Sequence, residues 1–237
     1  MAIVESKRLC NVKTMKQTPI HDNYNAELLA LMPMNISRVV EVGCSSGALA
    51  SAYLKLNPGC EYLGIEVDRD YADVARGRCS RVIVGNIEQL PDEQFASLVP
   101  SDCWVFGDVL EHLYDPWSTL RRIRHSLPGY GYVVACIPNA QHWGVQIRLN
   151  TREFRYEDAG LLDRTHIRWF TKKTIGELFR STGYEIVEGG RRVFEEEHRE
   201  TGLAGVRALA EAIGGDVDEA VADATPFQWL VRATPAQ

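Results

Sequence analysis

Val39-Val40-Glu41-Val42-Gly43-Cys44-Ser45-Ser46-Gly47 reads as a buried strand that breaks into a glycine-bent turn and opens a helix. The run from Arg38 to Val42 is β-branched around a single carboxylate, the pattern of a strand covered on both faces. Gly43 and Gly47 allow tight turning and close approach of a ligand to the N–H groups at the helix start. The next strand, Glu61–Glu66, ends in a carboxylate 19 positions beyond Gly47. That spacing is near the one at which an acid reaches a ribose hydroxyl pair. The turn alone is common to nucleotide-binding sheets; the linked acid sharpens it.

Outward from this stretch, strand-like runs recur at Arg81–Val84, Cys103–Phe106 and Tyr132–Ile137. Helical stretches fit between them at Ala48–Lys55, Tyr71–Arg78 and Pro116–Ser126. The alternation predicts an α/β sandwich, a parallel sheet with helices on both faces. Trp117, Leu120, Ile123 and Leu127 recur at helical spacing, and Pro116 suits a first helical turn. Residues 139–171 are rich in aromatics, Arg and His with poor periodicity, as in an acceptor-side loop or lid. A helix at Lys172–Thr182, a strand at Tyr184–Glu188, a helix at Glu195–Ile213 and a last strand at Phe227–Val231 follow, with 234–237 as a frayed tail. The expected division is an N-terminal helical cap (1–35), a ligand-binding core (36–138), the loop (139–171) and a C-terminal completion of the sheet (172–237).

Composition narrows the function classes. The 237 residues carry 45% hydrophobic and 24% charged side chains, ordinary for a globular domain. A net charge of −6 argues against a broad phosphate-gripping surface, so nucleic acid is a disfavoured partner. Apolar runs such as Val133–Ile137 are too short to cross a bilayer, and Met1–Asn11 has no secretory pattern. Six cysteines stand singly, without zinc spacing, and read as reduced thiols of a cytoplasmic protein. Composition does not disclose an oligomeric state.

The motifs resemble those of the class I S-adenosylmethionine-dependent methyltransferases. Their first motif, Glu/Asp-x-Gly-x-Gly-x-Gly, is met by Glu41-Val42-Gly43-Cys44-Ser45-Ser46-Gly47, with Ser45 in place of the central glycine. Tyr62-Leu63-Gly64-Ile65-Glu66-Val67-Asp68 resembles the second, Gly85-Asn86-Ile87-Glu88 the third, and Cys103 to Leu113 the fourth strand and its turn. The resemblance implies a Rossmann-like three-layer sandwich with a seven-stranded, mostly parallel sheet and a reversed last strand. It also implies S-adenosylmethionine as cofactor. Glu41, Gly43, Cys44, Ser45, Ser46 and Gly47 would take its methionine side, Glu66 and Val67 the ribose, Asn86 and Ile87 the adenine. Asp108 would lie near the methionine part, and Tyr24 would close from the N-terminal side. Gly160-Leu161-Leu162-Asp163-Arg164-Thr165-His166-Ile167-Arg168-Trp169-Phe170-Thr171 is similar to a segment of bacterial methyltransferases acting on glycans or small molecules. That points to a small-molecule or sugar acceptor, at oxygen before nitrogen.

An alcohol acceptor must lose its proton as the new bond forms, and imidazole suits that task. His112 and His166 are the candidates, with Asp163 able either to orient His166 or to make a structural ion pair with Arg164 or Arg168, and His142 as a third imidazole. Trp143, Phe154, Tyr156, Trp169 and Phe170 could wall an acceptor, and the loop's arginines hint at an anionic one. A hard-metal site would want more oxygen ligands than Glu111, His112 and His166 supply, so metal-free catalysis ranks first. Two rivals stand beside this reading: a catalytically inactive S-adenosylmethionine-binding sensor or subunit, and a nicotinamide-dependent oxidoreductase. Ser45 weighs against the second, because a pyrophosphate needs glycine at that point.

Overall fold

A computed structural model describes residues 22–237. Helix α1 (Ala26–Leu31) precedes strand β1 (Arg38–Val42), helix α2 (Ala48–Leu56), strand β2 (Glu61–Glu66), helix α3 (Arg69–Ala75) and strand β3 (Arg81–Val84). Helix α4 (Asp92–Ala96), strand β4 (Cys103–Gly107), helix α5 (Pro116–Ser126) and strand β5 (Tyr132–Pro138) complete the first half. The second half holds α6 (Trp143–Asn150), α7 (Lys172–Ser181), β6 (Tyr184–Arg192), α8 (Arg199–Ala212), α9 (Val217–Ala224) and β7 (Gln228–Pro235). The strands form one seven-stranded sheet in the order β3-β2-β1-β4-β5-β7-β6. Strands β1 to β5 pair in parallel, and β7 runs antiparallel to both neighbours, as expected for the reversed last strand.

Strand periodicity decides the layers, because successive side chains point to opposite faces. Val40, Val42, Leu63, Ile65, Trp104 and Phe106 join Leu120 and Ile123 of α5 and Ile175, Leu178 and Phe179 of α7 in one core. Val39, Tyr62, Cys103 and Val105 face the other way, onto Leu28 and Met32 around α1 and Leu49 and Tyr53 of α2. Helix starts follow their sequence signals. Asp115 caps α5 with Pro116 in the first turn, and Thr171 and Thr174 form a reciprocal cap on α7.

The structure departs from the sequence reading in the second half. Segment 139–171 is not continuous loop: α6 lies within it, and its Trp143 packs with Val206 of α8 and Ala224 of α9 in a third core. Helix α9 escaped notice because its eight residues show only a short apolar pattern. The expected frayed tail is partly strand, with Thr234 and Pro235 paired to Glu185 and Tyr184. A terminal strand between two neighbours gains pairing on both sides, and local composition does not reveal this. Among the described residues no helix is long and apolar enough to cross a membrane.

Candidate active site

Sheet order reverses between β1 and β4, and in open α/β sheets the crevice at such a point, beyond the strands' carboxyl ends, takes the ligand. The turn after β1 is built on three residues in the left-handed region: Gly43 (φ 68°), Ser45 (φ 49°) and Gly47 (φ 75°). At Gly43 a Cβ would fall 2.6 Å from the Val109 side chain, so glycine is required by both angle and space. Cys44 turns inward: its thiol lies where a side chain on Gly64 would be, so the motif's cysteine offers the crevice only its backbone. Arg78 reaches the Ser46 hydroxyl at 3.4 Å.

Glu66 ends β2 with a buried carboxylate held by three backbone N–H groups. Ser45 N–H donates to Oε2 at 2.8 Å, and Val67 and Asp68 N–H donate to Oε1 at 2.8 and 3.0 Å. The acid thereby ties the β1 turn to the β2 turn, and Oε2 retains a lone pair for a further donor. Glu41 lies below the turn, buried and accepting the Tyr62 hydroxyl at 3.0 Å. Burial pushes its carboxyl well above the ordinary range. The Asn86 carbonyl oxygen already accepts Glu88 N–H at 2.9 Å, and the Ile87 side chain is buried in the core. Val67 stays largely exposed, and so does Tyr24, ahead of α1. Its neighbour Asn25 caps that helix and donates to the Cys136 thiol of β5.

Beyond β4, Asp108 takes a left-handed conformation (φ 57°) and accepts a hydrogen bond from the Gln228 amide. Burial pushes its carboxyl up to about 6, against the pull of Arg192. Arg192 in turn donates to the Gln228 carbonyl at 2.6 Å. Gln228 and Arg192 come from the last two strands, and no local signal marks them as partners of Asp108.

The next turn carries Glu111 and His112. Backbone N–H groups of Ile167 and Arg168 both donate to the Glu111 carbonyl at 3.0 Å, which draws the 161–170 segment onto the end of β4. His166 and His112 are brought together in this way, with ring centroids 4.8 Å apart. Each ring sets its Nδ1 against a main-chain carbonyl: His112 to Thr165 at 3.0 Å, His166 to Leu161 at 3.1 Å. A carbonyl can only accept, so Nδ1 carries a proton, and in the neutral ring Nε2 keeps a lone pair. The two Nε2 atoms lie 4.0 and 3.9 Å from the same oxygen, Oε1 of Glu111. Glu111 is 1% exposed, and neither carboxylate oxygen accepts a hydrogen bond from another described residue. Burial, and after it the charge of Asp108, raises its carboxyl well above the ordinary range. Burial and then His112 lower the pKa of His166.

Several expectations need correction. Asp163 does not orient His166; its Oδ1 accepts from the Thr165 N–H and hydroxyl at 2.7 and 2.6 Å, and the Leu161 carbonyl holds the ring instead. His142 stands apart as the cap of α6, bonded to Glu196 at 3.1 Å. Trp143 and Phe170 are core residues, whereas Phe154 and Trp169 pair at 5.6 Å with Trp169 edge-on to His166. Arg148, Arg155 and Arg164 are paired with Glu157, Glu153 and Asp158, which cancels much of the loop's positive charge.

A family model described as "Methyltransferase domain" matches residues 17–189. Among solved structures, the mitomycin 7-O-methyltransferase is 14% identical with a TM-score of 0.55, covering 89% of this chain and 52% of its own. An O-methyltransferase from neocarzinostatin biosynthesis, solved with S-adenosylmethionine and 2-hydroxy-5-methyl naphthoic acid, is 17% identical with a TM-score of 0.53. It covers 89% of this chain and 52% of that one, so the chain spans about half the length of both. A [4+2]-cyclase is 19% identical with a TM-score of 0.55, covering 89% of this chain and 80% of its own. No curated protein matches the sequence. The structural likenesses concern the fold, which serves more than one chemistry.

Proposed function

The chain belongs to the methyltransferase-domain family, and we propose that it is an S-adenosylmethionine-dependent methyltransferase that methylates a hydroxyl oxygen of a small-molecule or sugar acceptor. The observation that carries the choice of oxygen is the pair of imidazoles, each with Nδ1 engaged and Nε2 free to accept, at the end of β4. A sulfonium donor is intrinsically reactive, so the protein's work is to align the acceptor, exclude water and receive one proton. An alcohol needs the last of these; His112 and His166 meet that need.

In this reading Glu66 takes the ribose hydroxyls on its remaining lone pair, and the Gly43–Gly47 backbone, with Asp108 across the crevice, flanks the methionine part. Asn86 offers its amide beside the adenine, and Tyr24 covers the donor. Residues 36–138 bind the donor, 139–171 present the acceptor, and 172–237 complete the sheet. Phe154 and Trp169 supply an aromatic wall beside His166, suited to a ring or the apolar face of a sugar. The ion-paired arginines favour an uncharged acceptor over a phosphorylated one.

The test is turnover: incubation with S-adenosylmethionine and a panel of hydroxylated and amine acceptors, read by mass spectrometry. A gain of one methylene unit on a hydroxyl compound, with S-adenosylhomocysteine released, is the expected result. Methylation of amines alone would replace oxygen with nitrogen. S-adenosylmethionine binding with no turnover on any acceptor would favour a sensor or subunit.

A further inference from the structure

Glu111, His112 and His166 offer two imidazole nitrogens and a carboxylate oxygen whose ligand atoms all lie within 4.8 Å of one another. A carboxylate taken out of water is costly unless it is paired or coordinates a cation. Glu111 is 1% exposed and has no hydrogen-bond partner on either oxygen among the described residues other than itself. What it faces is the Nε2 edge of two rings, each about 4 Å away. Both rings are already arranged as metal ligands are. A main-chain carbonyl holds each Nδ1–H, which fixes the tautomer and turns the Nε2 lone pair to the common point.

We propose that these three side chains form a binding site for a first-row divalent transition cation such as Zn²⁺. The donor set selects the metal. Mg²⁺ and Ca²⁺ want mostly oxygen ligands, whereas two imidazoles and one carboxylate suit zinc and its neighbours and leave coordination positions open. Ligand atoms around a tetrahedral ion with bonds of about 2.0–2.2 Å stand about 3.4 Å apart, so the observed spacings close by roughly half an ångström to nearly one and a half ångströms. The His112 side chain is 34% exposed and gives the ion a way in. The inference rests on the functional reading only for where the acceptor comes. A bound cation would take up both Nε2 lone pairs and so replace, not add to, the histidines' role as proton acceptor; the acceptor oxygen would fill an open position on the ion. Its proton then leaves to solvent, because cation-bound hydroxyls are more acidic. The O–CH₃ bond forms as the S–CH₃ bond breaks, leaving S-adenosylhomocysteine.

The experiment uses the full chain without an affinity tag, stripped with a chelator and titrated with Zn²⁺ by calorimetry, and separately with Co²⁺ followed by visible absorption. One zinc per chain is expected, with cobalt bands of a low-coordinate site and no thiolate charge-transfer band. Glu111→Gln and His166→Ala should each weaken zinc binding by roughly a hundredfold, while S-adenosylmethionine affinity stays as in the wild type. Absence of saturable zinc binding, or undiminished affinity in both variants, overturns the site. Should the variants not fold, the wild-type cobalt spectrum decides: one matching free aqueous cobalt overturns it too. Zinc binding without S-adenosylmethionine binding would sink the methyl-donor reading and leave the cation site standing.

Discussion

Glu66 and Glu111 both follow central strands, and both are buried, at 3% and 1% exposure. The first is surrounded by donors, three N–H groups from two adjacent turns. The second has none from another described residue. A satisfied carboxylate holds a scaffold in place, and its partners come from its own strand end and the turn beside it. An unsatisfied one costs stability until a ligand arrives, and it faces the ring of the next residue, His112, and that of His166, about fifty residues away. The donor side of this crevice is thus preformed by local backbone, and the acceptor side is assembled by long-range contacts around a group left open.

The largest effect expected from that contrast lies on the acceptor side. His112→Ala and His166→Ala should lower turnover by roughly 10²–10⁴-fold, with S-adenosylmethionine affinity unchanged by calorimetry. Wild-type turnover in both variants would remove the imidazoles from the chemistry and erase the distinction. On the donor side, Glu66→Ala should weaken S-adenosylmethionine binding by about ten- to a hundredfold, the worth of a charge-assisted hydrogen bond. Turnover at saturating donor should survive. Unaltered affinity would make Glu66 a brace for the two turns and nothing more.

The same contrast explains what could be read in advance. The β1 turn, the acid at the end of β2 and the parallel sheet were legible because glycine spacing and strand periodicity are local. In the sequence Glu111 reads only as one oxygen ligand in a set too poor for a hard metal, since burial without partners is a property of the fold. Gln228 bonds Asp108, and Arg192 bears on it through its charge, from more than eighty residues away, and no spacing rule connects them. Asp163 stands three residues before His166 yet serves the Thr165 turn, because Asp readily bonds the backbone two residues on. Proximity in sequence was the wrong guide there.

His142 sharpens the comparison through pH. Its Nδ1 accepts the Gly144 N–H at 3.2 Å while Nε2 faces Glu196, so the fold needs the ring neutral. Burial accordingly lowers its pKa from 6.5 to about 4. A histidine depressed in the fold contributes stability that is complete above its unfolded value and lost as pH falls from about 6.5 toward 4. The loss should approach 1.4 kcal/mol per pH unit within that window. His142→Asn keeps a helix cap that does not titrate, so denaturant unfolding at pH 7.0 and 5.5 should show a smaller difference for the variant. An equal difference in both proteins would mean that His142 takes up its proton in the fold as it does in the unfolded chain.

The smallest effect sits in the preformed half, at the one non-glycine left-handed residue of the β1 turn. Ser45 holds φ 49° where the similar motif has glycine, a conformation that costs an L-residue about 1–2 kcal/mol. Glycine would relieve that strain but give back about 0.5–1 kcal/mol of backbone entropy. Ser45→Gly should therefore gain at most about 1.5 kcal/mol, a rise of no more than roughly 3–6 °C in Tm for a domain of this size. Donor affinity should hold, because what Ser45 gives Glu66 is its backbone N–H, which glycine also carries. A lower Tm or a weaker donor complex would show that the serine hydroxyl, and not only the bend, belongs to the site; the donor side would then share the acceptor side's dependence on particular side chains.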